Sequence, residues 1–294
     1  MNKIALTLVC CAAIAACSSS DPADTSASLI GGGSGTAPPD DGNGTVPPIG
    51  NGEDDDSPDT PEGDDLTRVG GDVAQVTFDP VAEVLNIQGE PFDFEGDFTR
   101  SPGDDRPGFA AYRSTTGVDP SERNYLAFLG VDSTNDLVAG VVATPFRLRT
   151  EFGGTVLTRG EVPELPTNTQ MTHDGEYAAV RTLGSAQHVI EGEARLFLDF
   201  RDDRAAPSIE GVIRDRENLT TGETPAQITL VFTEIDENGN FLGQAWDEEE
   251  DFTGFYDGMI AGDGATASGG VVVIRGVIND VDHIERGAFI ARRP

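Results

Sequence analysis

The sequence predicts an all-β protein: an eight-stranded antiparallel up-and-down barrel, preceded by a small β handle domain and a disordered N-terminal tether. Three observations carry this. From Arg68 onward, short runs of β-branched and aromatic residues alternate with Gly, Asn, Asp and Pro clusters, at the spacing of roughly 8 to 15 residues typical of successive antiparallel strands. Within such runs the apolar side chains alternate; in Glu193–Phe200, Ala194, Leu196, Leu198 and Phe200 share one face. No segment keeps a 3.6-residue apolar period over a useful length.

The elements follow in order. Strands are expected near residues 73–78, 82–87, 108–114, 123–131, 137–144 and 147–158, forming the handle over 68–170. A Pro-containing passage, Glu161–Gln170, separates them from eight more, near 175–181, 189–201, 207–215, 226–234, 240–246, 252–261, 268–277 and 285–292. These build the barrel over 171–294. Asn238-Gly239 is the strongest hairpin signal, because both central turn positions need φ above zero. Eight strands close into a barrel that holds its own side chains or one small ligand; a short-stranded sandwich is the alternative. A transmembrane barrel is excluded, since Glu193, Arg195, Asp199, Arg214 and Glu234 stand where a lipid-facing belt would be apolar.

Charge divides the chain the same way. Of the 294 residues with net charge −33, residues 18–67 hold twelve acids and no Lys or Arg, whereas 68–294 hold forty acids and eighteen Arg. Nucleic-acid binding is excluded, because it needs a basic face to displace counterions. The only lysine is Lys3 and the only cysteines are Cys10, Cys11 and Cys17. Schiff-base chemistry, thiolate nucleophiles, zinc–thiolate sites and internal disulfides are therefore closed to everything after residue 17.

Met1–Lys3 is a short cationic region and Ile4–Ala16 an apolar one, too short for the roughly 20 residues that span a bilayer. Residues 1–16 read as a secretory signal, and Ile14-Ala15-Ala16-Cys17 resembles the lipobox of bacterial lipoproteins. The resemblance implies lipidation of Cys17, whose sulfur receives diacylglycerol before cleavage; ordinary cleavage after Ala13-Ile14-Ala15 is the alternative. Ser18 and Ser19, in place of an Asp, favour an outer-membrane address facing the surface or the periplasm. Residues 17–67 then form an acidic Gly/Pro/Asp linker that cannot bury enough surface to order itself. Fifty such residues have an r.m.s. reach of roughly 40 Å. Weak Ca²⁺ binding at Asp54–Asp56 is the functional alternative to simple solvation.

The strand Gly192-Glu193-Ala194-Arg195-Leu196-Phe197-Leu198-Asp199-Phe200, followed by Ile209-Glu210-Gly211-Val212-Ile213, carries a further resemblance. With Gly254-Phe255-Tyr256-Asp257-Gly258 and Ser268-Gly269-Gly270-Val271-Val272 it is similar to the C-terminal barrel of the transferrin-binding protein B-like surface lipoproteins. Gly108–Tyr112 and Tyr125–Phe128 resemble the smaller handle that precedes such a barrel. The resemblance implies an anchored recognition module. It does not carry over the transferrin partner, because this chain has room for one handle and one barrel and lacks matching partner loops. The glycines are barrel-building positions where strands coil or an aromatic crosses the backbone.

No nucleophile elbow, zinc helix or phosphate loop is present. His173, His188 and His283 are read as solvated turn residues, without a second histidine at ligand spacing. Asp236-Glu237-Asn238-Gly239-Asn240 starts like a Ca²⁺ loop, but Phe241 replaces the required Gly, leaving a hairpin turn. Asp247-Glu248-Glu249-Glu250-Asp251 is read as one loop of mutually repelling carboxylates, relieved by a divalent cation, by a basic partner or by solvent. Trp246 beside it is either a recognition anchor or core. Together they form the candidate partner-binding loop. The expectation is a non-enzymatic outer-membrane lipoprotein, without cofactor or metal, that binds an extracellular or periplasmic protein or solute. A structural or adhesive envelope component comes second, an enzyme third.

Overall fold

The computed structural model describes residues 62–294 apart from 65, 80–81, 90–91, 115–124, 148–149, 204, 248, 250 and 279. The signal segment, Cys17 and most of the tether lie outside the described residues.

The first nine strands are β1 (Glu62–Asp64), β2 (Thr67–Gly71), β3 (Gln75–Asp79), β4 (Val84–Gly89), β5 (Phe92–Arg100), β6 (Phe109–Ser114), β7 (Leu126–Asp132), β8 (Leu137–Arg147) and β9 (Thr150–Arg159). They form one antiparallel sheet in the order β1-β2-β9-β8-β7-β6-β5-β4-β3. The sheet curls until its ends approach at the β2–β3 link, where the Asp72 N–H donates to Gly153 O and the Ala74 N–H to Gln88 O. Its concave face encloses a core that includes Val73, Leu85, Ile87, Phe98, Tyr112, Tyr125 and Leu129.

The remaining strands, β10 (Gln170–Leu183), β11 (Ala186–Asp199), β12 (Ser208–Asn218), β13 (Ile228–Glu234), β14 (Asn240–Asp247), β15 (Phe252–Ala261), β16 (Ala267–Ile278) and β17 (Val281–Arg292), form a closed up-and-down barrel. Closure is the antiparallel pairing of β17 with β10 from Asp174↔Arg292 to Leu183↔His283. The fold class is as the sequence predicts, and all fourteen expected strands are present. Three were not foreseen: β1, β2 and β5. β1 and the first residue of β2 fall inside the stretch expected to be tether.

Inward residues of alternate parity fill the barrel. Tyr177, Ala194, Leu196, Leu198, Ile213, Phe241, Tyr256, Val272 and Phe289 are all buried in one cluster. Large rings fit because glycines face them: a Cβ at Gly287 would collide with the Tyr177 ring, and one at Gly243 with the Tyr256 ring.

The sheet covers one side of the barrel. Outward residues of β10, β15, β16 and β17 (Ala178, Val180, Met259, Ala261, Ala267, Val271, Ala288, Ile290) share a buried layer with Phe109, Leu126, Phe128, Leu137, Val141 and Leu157 of the sheet. Polar ties pin this layer. Arg159 donates to Ile260 O at 2.8 Å and to Asn240 Oδ1 at 3.0 Å. Arg68 pairs with Asp257 at 2.5 Å and Arg292 with Asp132 at 2.8 Å. Burial pushes the Asp257 carboxyl up against the opposing pull of Arg68, and lowers the buried Arg286 guanidinium to about 10, opposed by Asp72.

Candidate functional site

The acidic run does not form one solvated loop. Asp247 is the last residue of β14, points into the barrel and is fully buried, with its Oδ2 3.0 Å from Arg216 Nη1. Its other carboxylate oxygen accepts the Glu249 N–H at 3.1 Å, so it also closes the turn. Glu249 and Asp251 are exposed, the latter at φ 56°, while Glu248 and Glu250 lie outside the described residues. Trp246 faces outward and is 41% exposed, so it is not core. The placement as partner loop thus loses Asp247, whose charge serves the interior, and keeps Trp246, Glu249 and Asp251 on the surface.

The interior partner set was missed in the sequence. Arg216 of β12 reaches Glu285 of β17 at 2.7 Å; Arg181 of β10 reaches the same carboxylate at 2.8 Å, and Tyr177 Oη donates to it at 2.8 Å. Arg216 also donates to Ala226 O. Two guanidiniums and two carboxylates balance, as burial demands. Burial would raise the Glu285 carboxyl, but Arg216 and Arg181 outweigh it and hold it below the usual carboxylate range. The Tyr177 hydroxyl is driven well up by burial and by Glu285. This cluster is charge-balanced and enclosed, with Arg181 stacked 5.3 Å from the Phe252 ring centre; its chemistry is structural.

The histidines are not all turn residues either. His173 is completely buried in β10, with Nδ1 2.8 Å from Ser268 Oγ and Nε2 3.0 Å from Ala265 O. Burial lowers its pKa to about 4. His283 is buried against the Phe252 ring, and His188 Nδ1 accepts a 3.0 Å bond from Asn218 Nδ2; burial lowers the pKa of both. Asp236 behaves as the hairpin reading requires, its Oδ1 accepting the N–H groups of Asn238 and Asn240 with Gly239 at φ 79°. Among the described residues no group of three or more His, Cys, Asp or Glu is placed to hold a metal ion.

The side of the barrel away from the sheet is different. Here β11, β13 and β14 expose Phe197 (45%), Val231, Phe232 (60%), Leu242 and Trp246. Strand alternation explains Phe197, Leu242 and Trp246; it does not explain two consecutive outward residues, Val231 and Phe232. A bulge does. The β12–β13 register jumps from Ile209↔Thr233 to Gly211↔Leu230, inserting an extra residue into β13. Two side-chain bonds hold the bulge: Tyr256 Oη donates to Val231 O at 2.6 Å, and Thr233 Oγ1 to Leu242 O at 2.8 Å. Between Phe197 and Phe232 lies a groove of about 610 Å³, with Met171, Ile209 and Glu210 in its lining. The adjacent apolar pair Val231-Phe232, which breaks alternation in an otherwise regular strand, was the signal available in the sequence.

A curled antiparallel sheet packed on a side-chain-filled barrel defines a handle-and-barrel β protein, with its uncovered barrel wall as the candidate site. No protein-family model and no curated protein matches the sequence. Solved structures to which the chain is similar include transferrin binding protein B of Haemophilus parasuis, at 14% identity and TM-score 0.46 over 78% of this chain and 45% of that one. The protein of the same name from serogroup B Neisseria meningitidis is 13% identical, TM-score 0.43, over 78% and 43%. A surface lipoprotein is 14% identical, TM-score 0.36, over 78% and 99%. This chain therefore spans less than half the length of the two transferrin binding proteins.

Proposed function

We propose that this protein is a non-enzymatic lipoprotein of the outer membrane, anchored through Cys17, that holds a recognition domain away from the lipid on an acidic tether. In this reading residues 68–170 are the handle and 171–294 the presenting barrel. One observation carries the binding role: the barrel interior is filled by its own side chains, while large apolar side chains stand uncovered on the wall that the sheet leaves free. Soluble monomers rarely keep such patches unless they bind something. A filled interior favours a protein partner over an enclosed solute. The partner is not carried over from the transferrin binding proteins, and Trp246 with the exposed acids of the 247–251 turn remains part of the proposed surface.

Detergent-phase partitioning of the full chain against Cys17→Ser tests the anchor. The wild type is expected in the detergent phase and the variant in the aqueous phase; detergent partitioning of Cys17→Ser overturns it. Protease treatment of intact cells tests display, and a domain cleaved only after the outer membrane is broken faces the periplasm.

A further inference from the structure

Resting on the recognition reading, the Phe197–Glu210–Phe232 groove can be assigned a ligand chemistry. Glu210 is the Cα partner of Phe197 across β11–β12 and lies beside the β13 bulge that carries Phe232. A carboxylate thus sits between two exposed phenyl rings on three successive strands. Glu210 makes no hydrogen bond and no ion pair among the described residues. Asp199, the other acid of the groove, is already held by Arg201 at 2.8 Å, and among the described residues no Lys, Arg or His lines the groove. Among the described residues the neighbouring cations are used elsewhere: Arg195 on Asp174 at 2.6 Å and Arg214 on Glu193 at 2.8 Å.

A lone carboxylate flanked by aromatic faces fits an organic cation, which gains the ion pair and the ring quadrupoles together. The apolar residues continuing along the wall, Leu242 and Trp246, require apolar surface around that cation. Charge selects the occupant. Residues 68–294 carry forty acids against eighteen Arg, and residues 18–67 twelve acids and no cation, so a second copy and the chain's own tether are both repelled. We infer that this groove docks an arginine or lysine side chain presented on an apolar segment of a basic protein. The bulge is what makes the site: it holds Phe232 out where regular pairing would turn it in, and the Tyr256–Val231 bond fixes that geometry from the buried side.

The test uses the full chain and a defined probe, an acetylated Leu-Arg-Leu-Arg-Leu peptide amide, with a Leu-Glu-Leu-Glu-Leu control, titrated at physiological salt and read from the aromatic resonances of Phe197 and Phe232. The arginine peptide is expected to shift both rings and the glutamate peptide neither. Phe232→Ser should weaken binding about tenfold or more, Glu210→Gln about threefold, and Asp263→Asn, on the distant β15–β16 turn, not at all. Equal weakening by Asp263→Asn would reduce the effect to net charge and overturn the site. So would choline shifting the same rings at lower concentration than the peptide, or a Phe232-dependent dimer in light scattering. A photo-crosslinking residue at 232 or at 246 in living cells separates this from the broader reading. An adduct at 246 alone rejects the groove and keeps the module; no adduct at either position rejects both.

Discussion

The barrel wall has two outer faces, built from different residues. Where the sheet covers it, the outward positions are mostly small: Ala178, Val180, Ala261, Ala267, Val271 and Ala288 are all buried, with Met259 and Ile290 the larger members of the layer. Where nothing covers it, the large apolar ones include Phe197, Phe232, Leu242 and Trp246, all at least 41% exposed, among polar and charged neighbours. Apolarity alone does not distinguish the faces; side-chain size does. Small residues let a sheet and a barrel approach closely and interlock, whereas large exposed rings only gain by burial in something that arrives later. The difference separates a packing face from the face proposed to dock a partner.

The largest blow to both faces comes from inside. Glu285→Ala leaves Arg216 and Arg181 without their common carboxylate, and is expected to cost about 3–5 kcal/mol, seen as a large drop in the urea midpoint. A fall of less than about 1 kcal/mol would show that water reaches the cluster. Acid gives the next effect. His173 is neutral in the folded chain, with its pKa lowered from 6.5 to about 4, so the unfolded chain binds the extra proton. Stability is full above about pH 6.5, falls as pH drops toward 4 and levels below it, by up to about 3 kcal/mol. His173→Gln should flatten that part of the pH–stability curve.

Smaller effects sharpen the contrast itself. Ala288→Phe on the covered face overpacks the layer between sheet and barrel and should cost about 1–3 kcal/mol. Phe232→Ser on the free face should change stability by no more than about 0.5 kcal/mol while reducing peptide binding. Paired thermal melts of the two variants measure this. Equal destabilisation would mean that Phe232 supports the fold, and the distinction between the faces would collapse.

The strand positions and the closed eight-stranded barrel were legible because alternation and turn residues are local signals, whereas the choice between a side-chain-filled interior and a small ligand was left open. β5 was missed although Phe92, Phe94 and Phe98 share one parity, because Asp93, Glu95 and Asp97 between them read as loop. β1, Glu-Gly-Asp, holds no apolar residue and exists by pairing with β2. Asp247 looked solvated because it stands in a run of acids. Its inward aim follows from sharing parity with Phe241 and Ala245, but its partner Arg216 lies 31 residues away on the next strand but one, and only the curvature of the barrel wall brings them together. The histidines failed for the same reason. The proposed docking face was half visible: Trp246 was singled out, while Phe197 and Phe232 passed as ordinary strand residues, since a bulge depends on register between strands.

Glu285 lies in the last strand, and the groups it satisfies, Tyr177 and Arg181, lie in the first strand of the barrel, 108 and 104 residues earlier. Neither can be paired until β17, the last strand of the barrel, has emerged. Contacts of such sequence separation slow folding, because loop closure must come before the gain. The Glu285 contacts to Tyr177 and Arg181 are therefore among the last to form. For a protein exported as proposed above, that delay keeps it threadable until its C-terminal strand arrives and locks the ring.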